Sequence, residues 1–195
     1  MSTALLEEPG TGQDPVTERI LDAALAELGD FGLRRVSVED IRRRAKVNRT
    51  TVYRRFGTKN ELIAAALQRW ILHVLTEIAA EVAHRPTVAE RLVEGFVRAV
   101  LLVRTDPLIG RLLRSEPETF LPHLTTEGAP ILRACREFLA AQCRALQPDF
   151  DADAAAEIAL RLAQSVVLTP DGWFDLRDEA ALRAFATRYL APLTR

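Results

Sequence analysis

Apolar residues recur every three or four positions along almost the whole chain, and that spacing predicts helices. Ile20, Ala24, Leu28 and Phe31, widened by Leu21 and Leu25, form the stripe of a first helix. Asp14 followed by Pro15 suits its start, because Asp caps free N–H groups and Pro lacks one, and Gly32 is expected to end it. Ser37 with Asp40 three residues on opens a short second helix with Val38, Ile41 and Ala45 as its buried face. After Val47, Asn48 is placed as the cap of a third helix over residues 49 to 55. It turns Val52 and Phe56 inward and leaves Arg49, Thr50, Thr51, Tyr53, Arg54 and Arg55 outside. Two short helices joined by a tight turn, the second basic and hydroxyl-rich, are the signature of a helix-turn-helix.

Gly57 closes the third helix, and Thr58 with Glu61 forms a capping box for a long fourth helix reaching about residue 83. Its apolar face, from Leu62 and Ile63 to Ile78 and Val82, covers more than half the circumference, so its start packs on the head and its remainder on something else. Beyond Pro86, helices are expected over residues 87 to 104, 108 to 114, 129 to 146, 152 to 168 and 178 to 190, with an irregular segment from 117 to 128. Period-two alternation is scarce. The predicted fold is all-α, with about nine to ten helices: a three-helix helix-turn-helix head over residues 15 to 60, joined by the long fourth helix to a larger helical regulatory body over 61 to 195. Residues 1 to 14 lack periodicity and read as a flexible arm.

Charge sharpens this picture. Between residues 34 and 59 stand ten Lys or Arg against two acids, Glu39 and Asp40, in a chain whose net charge is −1. Positive charge concentrated on one small surface is what a phosphate backbone attracts. A hydrophobic content of 48% with 27% charged residues is that of a globular protein. With no run of 18 apolar residues and no basic, then apolar, N-terminus, neither a membrane span nor a signal peptide is expected, and the location by default is cytoplasmic. Cys135 and Cys143 lie eight residues apart on one helix, about 12 Å, so they cannot pair within it. His73, His84 and His123 lack ligand spacing with Cys or carboxylates, so neither metal nor cofactor is expected. No Ser/His/Asp order, phosphate loop or carboxylate pair stands out, which argues against an enzyme.

Residues 37 to 62 resemble the DNA-binding head of the TetR family of transcriptional regulators. The resemblance rests on Ser37 as cap, Val47 in the turn, Tyr53 and Phe56, then Lys59 and Leu62. The chain departs from the family pattern at Arg42, where Ala is common, and at Lys46, where Gly is common. A residue other than Gly in a left-handed turn costs about 1 kcal/mol.

The resemblance implies double-stranded DNA, through a palindromic operator, as the partner of a homodimer. By position Arg49, Thr50, Thr51 and Arg55 match the family's base-contacting residues, and they carry the donors and methyl groups that a major groove rewards. Tyr53 and Lys59 match its phosphate-gripping pair; Ser37, Arg42, Arg43, Arg44 and Arg54 are assigned to the backbone as well. The resemblance also implies a small-molecule effector in the body, where Trp70, Phe96 and Phe138 are either pocket wall or plain core. For the dimer, the stripe Ala155, Ala159, Leu162, Ala163, Val166 and Val167 would let helices approach closely, unless it packs only inside one copy. A ligand-responsive repressor is the reading favoured, and a DNA-binding regulator without a small ligand is the alternative.

Overall fold

The structure, a computed structural model, describes residues 14 to 195, with Ser115 as backbone only. The arm expected over residues 1 to 14 lies outside the described residues except for Asp14. Ten α-helices follow one another: α1 Pro15–Arg35, α2 Val38–Ala45, α3 Arg49–Phe56, α4 Lys59–Val82, α5 Val88–Thr105, α6 Pro107–Ser115, α7 Pro117–Leu124, α8 Ala129–Arg144, α9 Ala152–Leu168 and α10 Glu179–Tyr189. A 3-10 turn, Ala191–Thr194, ends the chain, and no strand occurs among the described residues.

The expected start and stop residues of the head are in place. The Asp14 carboxylate accepts from the Val16 N–H, and Gly32 breaks the helical conformation with φ 78° before a last turn runs on to Arg35. Ile20, Ala24 and Leu28 are fully buried on α1. Phe31, expected in the same stripe, is 50% exposed, because α2 presents Asp40, Arg43 and Arg44 at that level instead of apolar side chains. Ser37 Oγ accepts from the Asp40 N–H at 3.2 Å, as its capping role requires. Lys46 takes the left-handed conformation, φ 55°, and closes α2 where glycine would be unstrained. Asn48 has the extended backbone of a cap, but its side chain makes no capping bond, so α3 opens with free N–H groups.

The Thr58 and Glu61 box is complete in both directions and opens α4. By length and mean hydropathy alone α4 could cross a bilayer, yet Leu62, Ile63, Ala66 and Leu67 are buried, and α4 packs on α1, α5 and α8. The segment from 117 to 124, expected to be irregular, is helix α7. Pro117 stands in its first turn where no N–H is needed, and Pro122 lies in the last turn, where one backbone bond is forgone.

Core packing does not stop at residue 60. One cluster joins Ile20, Leu28, Ile41 and Val52 of the head to Leu67 of α4, Ile109 and Leu112 of α6, and Phe120 of α7. A second unites α5, α9 and α10 around Val97, Val100, Leu182 and Leu190. Beside it Arg183 Nε donates to Glu94 at 2.8 Å, which holds the Glu94 carboxyl below its ordinary range and raises the guanidinium. Cys135 and Cys143 are free, buried thiols.

Candidate nucleic-acid interface and body cavity

Each residue of a helix turns by about 100°, so Val52 and Phe56 fix which way α3 faces. Val52 is buried and Phe56 half-buried, and the opposite direction is occupied by Thr50 and Arg54. Tyr53 stands to one side of that pair, 39% exposed, with the Arg49 guanidinium 5.4 Å from its ring centre. Thr51 stands to the other side, in an open groove between α1, α2 and α3. Arg19, Arg42, Arg43, Lys46, Arg54 and Arg55 share that groove.

The structure sorts the expected contact residues by what already holds them. Arg55 Nη1 donates to Thr17 Oγ1 at 2.7 Å and pairs with Asp14, so it ties α3 to the start of α1. On the helix it lies about 100° from Arg54, towards α1. Arg44 bridges Glu27 at 3.0 Å and Asp30 at 2.6 Å, a strut to the side of α1 away from the groove. Arg42 is paired with Glu39, which depresses that carboxyl's pKa through the hydrogen bond, and Arg43 is paired with Asp40 at 3.1 Å. Lys59 Nζ donates to the Leu33 carbonyl at 3.2 Å, leaving two of its three N–H groups. Ser37 is half-buried, its hydroxyl engaged with Asp40. Arg54 makes no ion pair among the described residues, and its position opposite the core puts it at the head of the exposed face. Arg19, not singled out in the sequence, lines the same groove beside Lys46 of the turn. Arg19 precedes the basic segment by fifteen residues, and only tertiary packing brings it to the groove.

Between α4 and the helices of the body lies a cavity of about 290 Å³. Trp70 is on its wall as expected, with Leu67, Ile71, Val74, Phe120 and His123. Phe96 lines a second space of about 90 Å³ and sits 6.3 Å from the ring of Phe185. Phe138 lines neither and packs half-buried on the main core. Of the stripe expected to meet a second copy, Ala155, Ala159 and Val166 are buried within the chain; Ala163 and Val167 line the larger cavity, and Leu162 packs on the second core cluster. That face of α9 turns inward because α5 and α8 cover it.

The body also grips the head directly. Arg111 of α6 donates to the Gly29 carbonyl at 2.7 Å, and the Glu116 carboxylate accepts from the Arg34 N–H at 2.7 Å. Arg69 of α4 pairs with Glu18 at 2.7 Å and with Asp22.

Two family descriptions match the chain: bacterial regulatory proteins of the tetR family over residues 20–66, and the C-terminal domain of the bacterial tetracyclin repressor over residues 87–187. An uncharacterised HTH-type transcriptional regulator of Mycobacterium tuberculosis is 32% identical over 177 residues, covering 88% of this chain and 90% of its own. An HTH-type transcriptional repressor of the same organism is 28% identical, covering 84% of this chain and 74% of its own. Among solved structures, the TetR family repressor AlkX from Dietzia superposes with a TM-score of 0.72 at 24% identity, over 95% of this chain and 100% of its own.

Proposed function

The chain belongs to the TetR family of bacterial regulatory proteins and is a helix-turn-helix transcriptional regulator; we propose that it is a homodimeric repressor released from its operator by a small molecule. The observation that most supports ligand response is the double duty of α6 and α7. Ile109, Phe120 and His123 of these helices line the cavity, while Arg111 and Glu116 hold the end of α1. A molecule that swells the cavity displaces the same unit that positions the head. Two heads must meet successive major grooves, about 34 to 36 Å apart, so a small displacement breaks the match.

On the DNA, Arg49, Thr50 and Arg54 are the readers of base edges, with Thr51 beside them in the groove. Tyr53, Lys46, Arg43, Arg42 and Arg19 grip phosphates, and Lys59 and Ser37 follow from the helix ends; Arg44 and Arg55 keep the frame. The second copy meets the outward sides of α8 and α9, where Ala141, Ala154 and Ile158 are exposed. The regulator works in the cytoplasm, and its relatives are regulators, not enzymes.

The test is a gel shift with duplexes selected from a random pool, repeated across a salt series. Log affinity is expected to fall linearly with log salt, and a flat response overturns DNA binding. Compounds that raise the melting temperature are then expected to abolish the shift. If none of those that stabilise the protein displaces DNA, the constitutive alternative replaces the ligand-responsive one.

A further inference from the structure

We infer that the body cavity takes an uncharged, unbranched apolar chain carrying one hydrogen-bonding oxygen, held at His123; this deepens the ligand-responsive reading and rests on it. His123 is 6% exposed, lines the larger cavity, and has no hydrogen-bond partner among the described residues. Among the described residues its ring nitrogens are not sealed, unpartnered polar atoms, so they open onto the cavity and are free to meet a hydrogen-bonding group there. The neighbouring polar groups are already engaged: the Thr125 hydroxyl donates to the Leu121 carbonyl, and the Gln164 amide donates to the Leu124 carbonyl. Imidazole can donate or accept, which suits a hydroxyl or a carbonyl equally.

Charge is argued against by what surrounds the site. Apart from His123 and the Cys135 thiol, the ionisable side chains on the two walls are Arg161, which is largely exposed and paired with Glu157 at 2.6 Å, and, in the far space, Arg91, whose guanidinium donates to the Arg85 and Ala83 carbonyls. A carboxylate drawn to His123 would therefore be buried without a committed cation, at a heavy desolvation cost.

Shape comes from the adjacency of the two spaces. They share Leu75, Ala99, Leu160 and Ala163, and together they follow α4 from Leu67 to Val82, about 22 Å at the helical rise. The seam they form is long, with Leu75 and Leu160 standing between the compartments, and its far half is mostly aliphatic, with Arg91, Phe96, Gln142 and Cys143 also on the wall. A compact ring system fills one compartment, whereas a chain fills both.

The test uses the full chain with Trp173→Phe, which leaves Trp70 on the cavity wall as the single tryptophan reporter. Fluorescence titration with 1-alkanols of rising length is expected to show affinity growing about three- to four-fold per added CH2 until the seam is full. Alkanoates of equal length should bind at least ten-fold more weakly, and 1-naphthol more weakly than the longest alkanols. His123→Phe should cost the alkanols about ten-fold, and His123→Gln should restore most of it. Ala163→Phe, at the junction, should leave short chains unaffected and stop the gain at greater length. Each variant is checked by thermal melting, and where His123→Phe does not fold, His123→Leu takes its place. Affinity independent of chain length, a preference for alkanoates or 1-naphthol, or indifference to His123 each overturns the inference. The gel shift on the same samples separates the two readings. Alkanols that bind without releasing DNA sink the ligand-responsive reading alone. Release by a compound that leaves Trp70 undisturbed and binds Ala163→Phe unchanged sinks this one alone.

Discussion

Head and body are both helical, yet their side chains are organised on opposite principles. In the head Ser37 caps α2, Lys46 turns the chain left-handed at its end, and Thr58 with Glu61 opens α4, each acting on a neighbour in sequence. Its interior closes tightly on Ile20, Leu28, Ile41 and Leu62, each fully buried. The body has its own side-chain caps at Thr87, Asp106, Asp151 and Asp178, yet its helices leave about 290 Å³ unfilled beside Trp70 and His123. The difference separates two kinds of information. A reading surface needs exact placement and is specified locally, whereas a ligand pocket of the kind proposed needs space, which is specified by side chains failing to meet.

Filling and emptying the two interiors tests this contrast most strongly. Leu28→Ala in the head is expected to cost about 2 to 5 kcal/mol, because a tight core cannot collapse onto the gap. Ala99→Leu on the cavity wall should change stability by no more than about 1 kcal/mol, since its new atoms enter existing space. Urea unfolding midpoints of the two variants decide; equal losses would mean the body is as tightly packed as the head.

Gly32→Ala probes the seam between the regions. It forces a side chain into positive φ and directs its Cβ at the Glu116 carboxylate, so a loss of about 1 to 3 kcal/mol is expected. Combined with Glu116→Ala, the steric part of that loss should vanish while the conformational part remains. A double-mutant cycle measures the split.

Lys46→Gly has two effects of opposite value. Relief of the left-handed strain should stabilise the head by about 1 kcal/mol, while the lost charge should lower the slope of log affinity against log salt by about 0.9. Thermal melting reads the first and the gel shift reads the second. An unchanged slope removes Lys46 from the phosphate contacts.

The smallest effect concerns the body thiol. Burial pushes the Cys135 pKa up from its ordinary 9.0 to about 12. The folded value therefore lies above the unfolded one, so this contribution to stability is complete below about pH 9 and is lost as pH rises towards 12. At pH 8 a disulfide reagent should label Cys135 only as fast as the body opens.

Most of the head was legible from sequence because its signals lie within four residues of the positions they control. What escaped there was three-dimensional. That Arg19 joins the groove, and that Arg55 and Arg44 are drawn to Asp14 and to Glu27 with Asp30, depends on how α1 crosses α2 and α3. The position of Arg54 opposite the core was legible by counting residues from Val52. In the body, helix extents could be read to within a few residues, with α7 concealed by two prolines that its ends tolerate. The cavity could not be read, because Phe96, Phe138 and Trp70 have similar helical context and differ only in which neighbours reach them. The inward turn of Ala155, Ala159 and Val166 was equally hidden, since a stripe of small residues suits an internal neighbour as well as a second copy.

The reversed φ at Gly32 gives α1 two mechanical parts: a shaft locked into the head's core, and a short plate beyond it that the body holds at Arg34. Arg34 lies three residues ahead of Ser37, where α2 begins. A tug on Glu116 is thus delivered to the DNA-binding pair along covalent backbone, which cannot be absorbed by side chains changing rotamer. In the ligand-responsive reading proposed above, the stiffness of that three-residue tether would set how little movement at the cavity is needed to misalign α3.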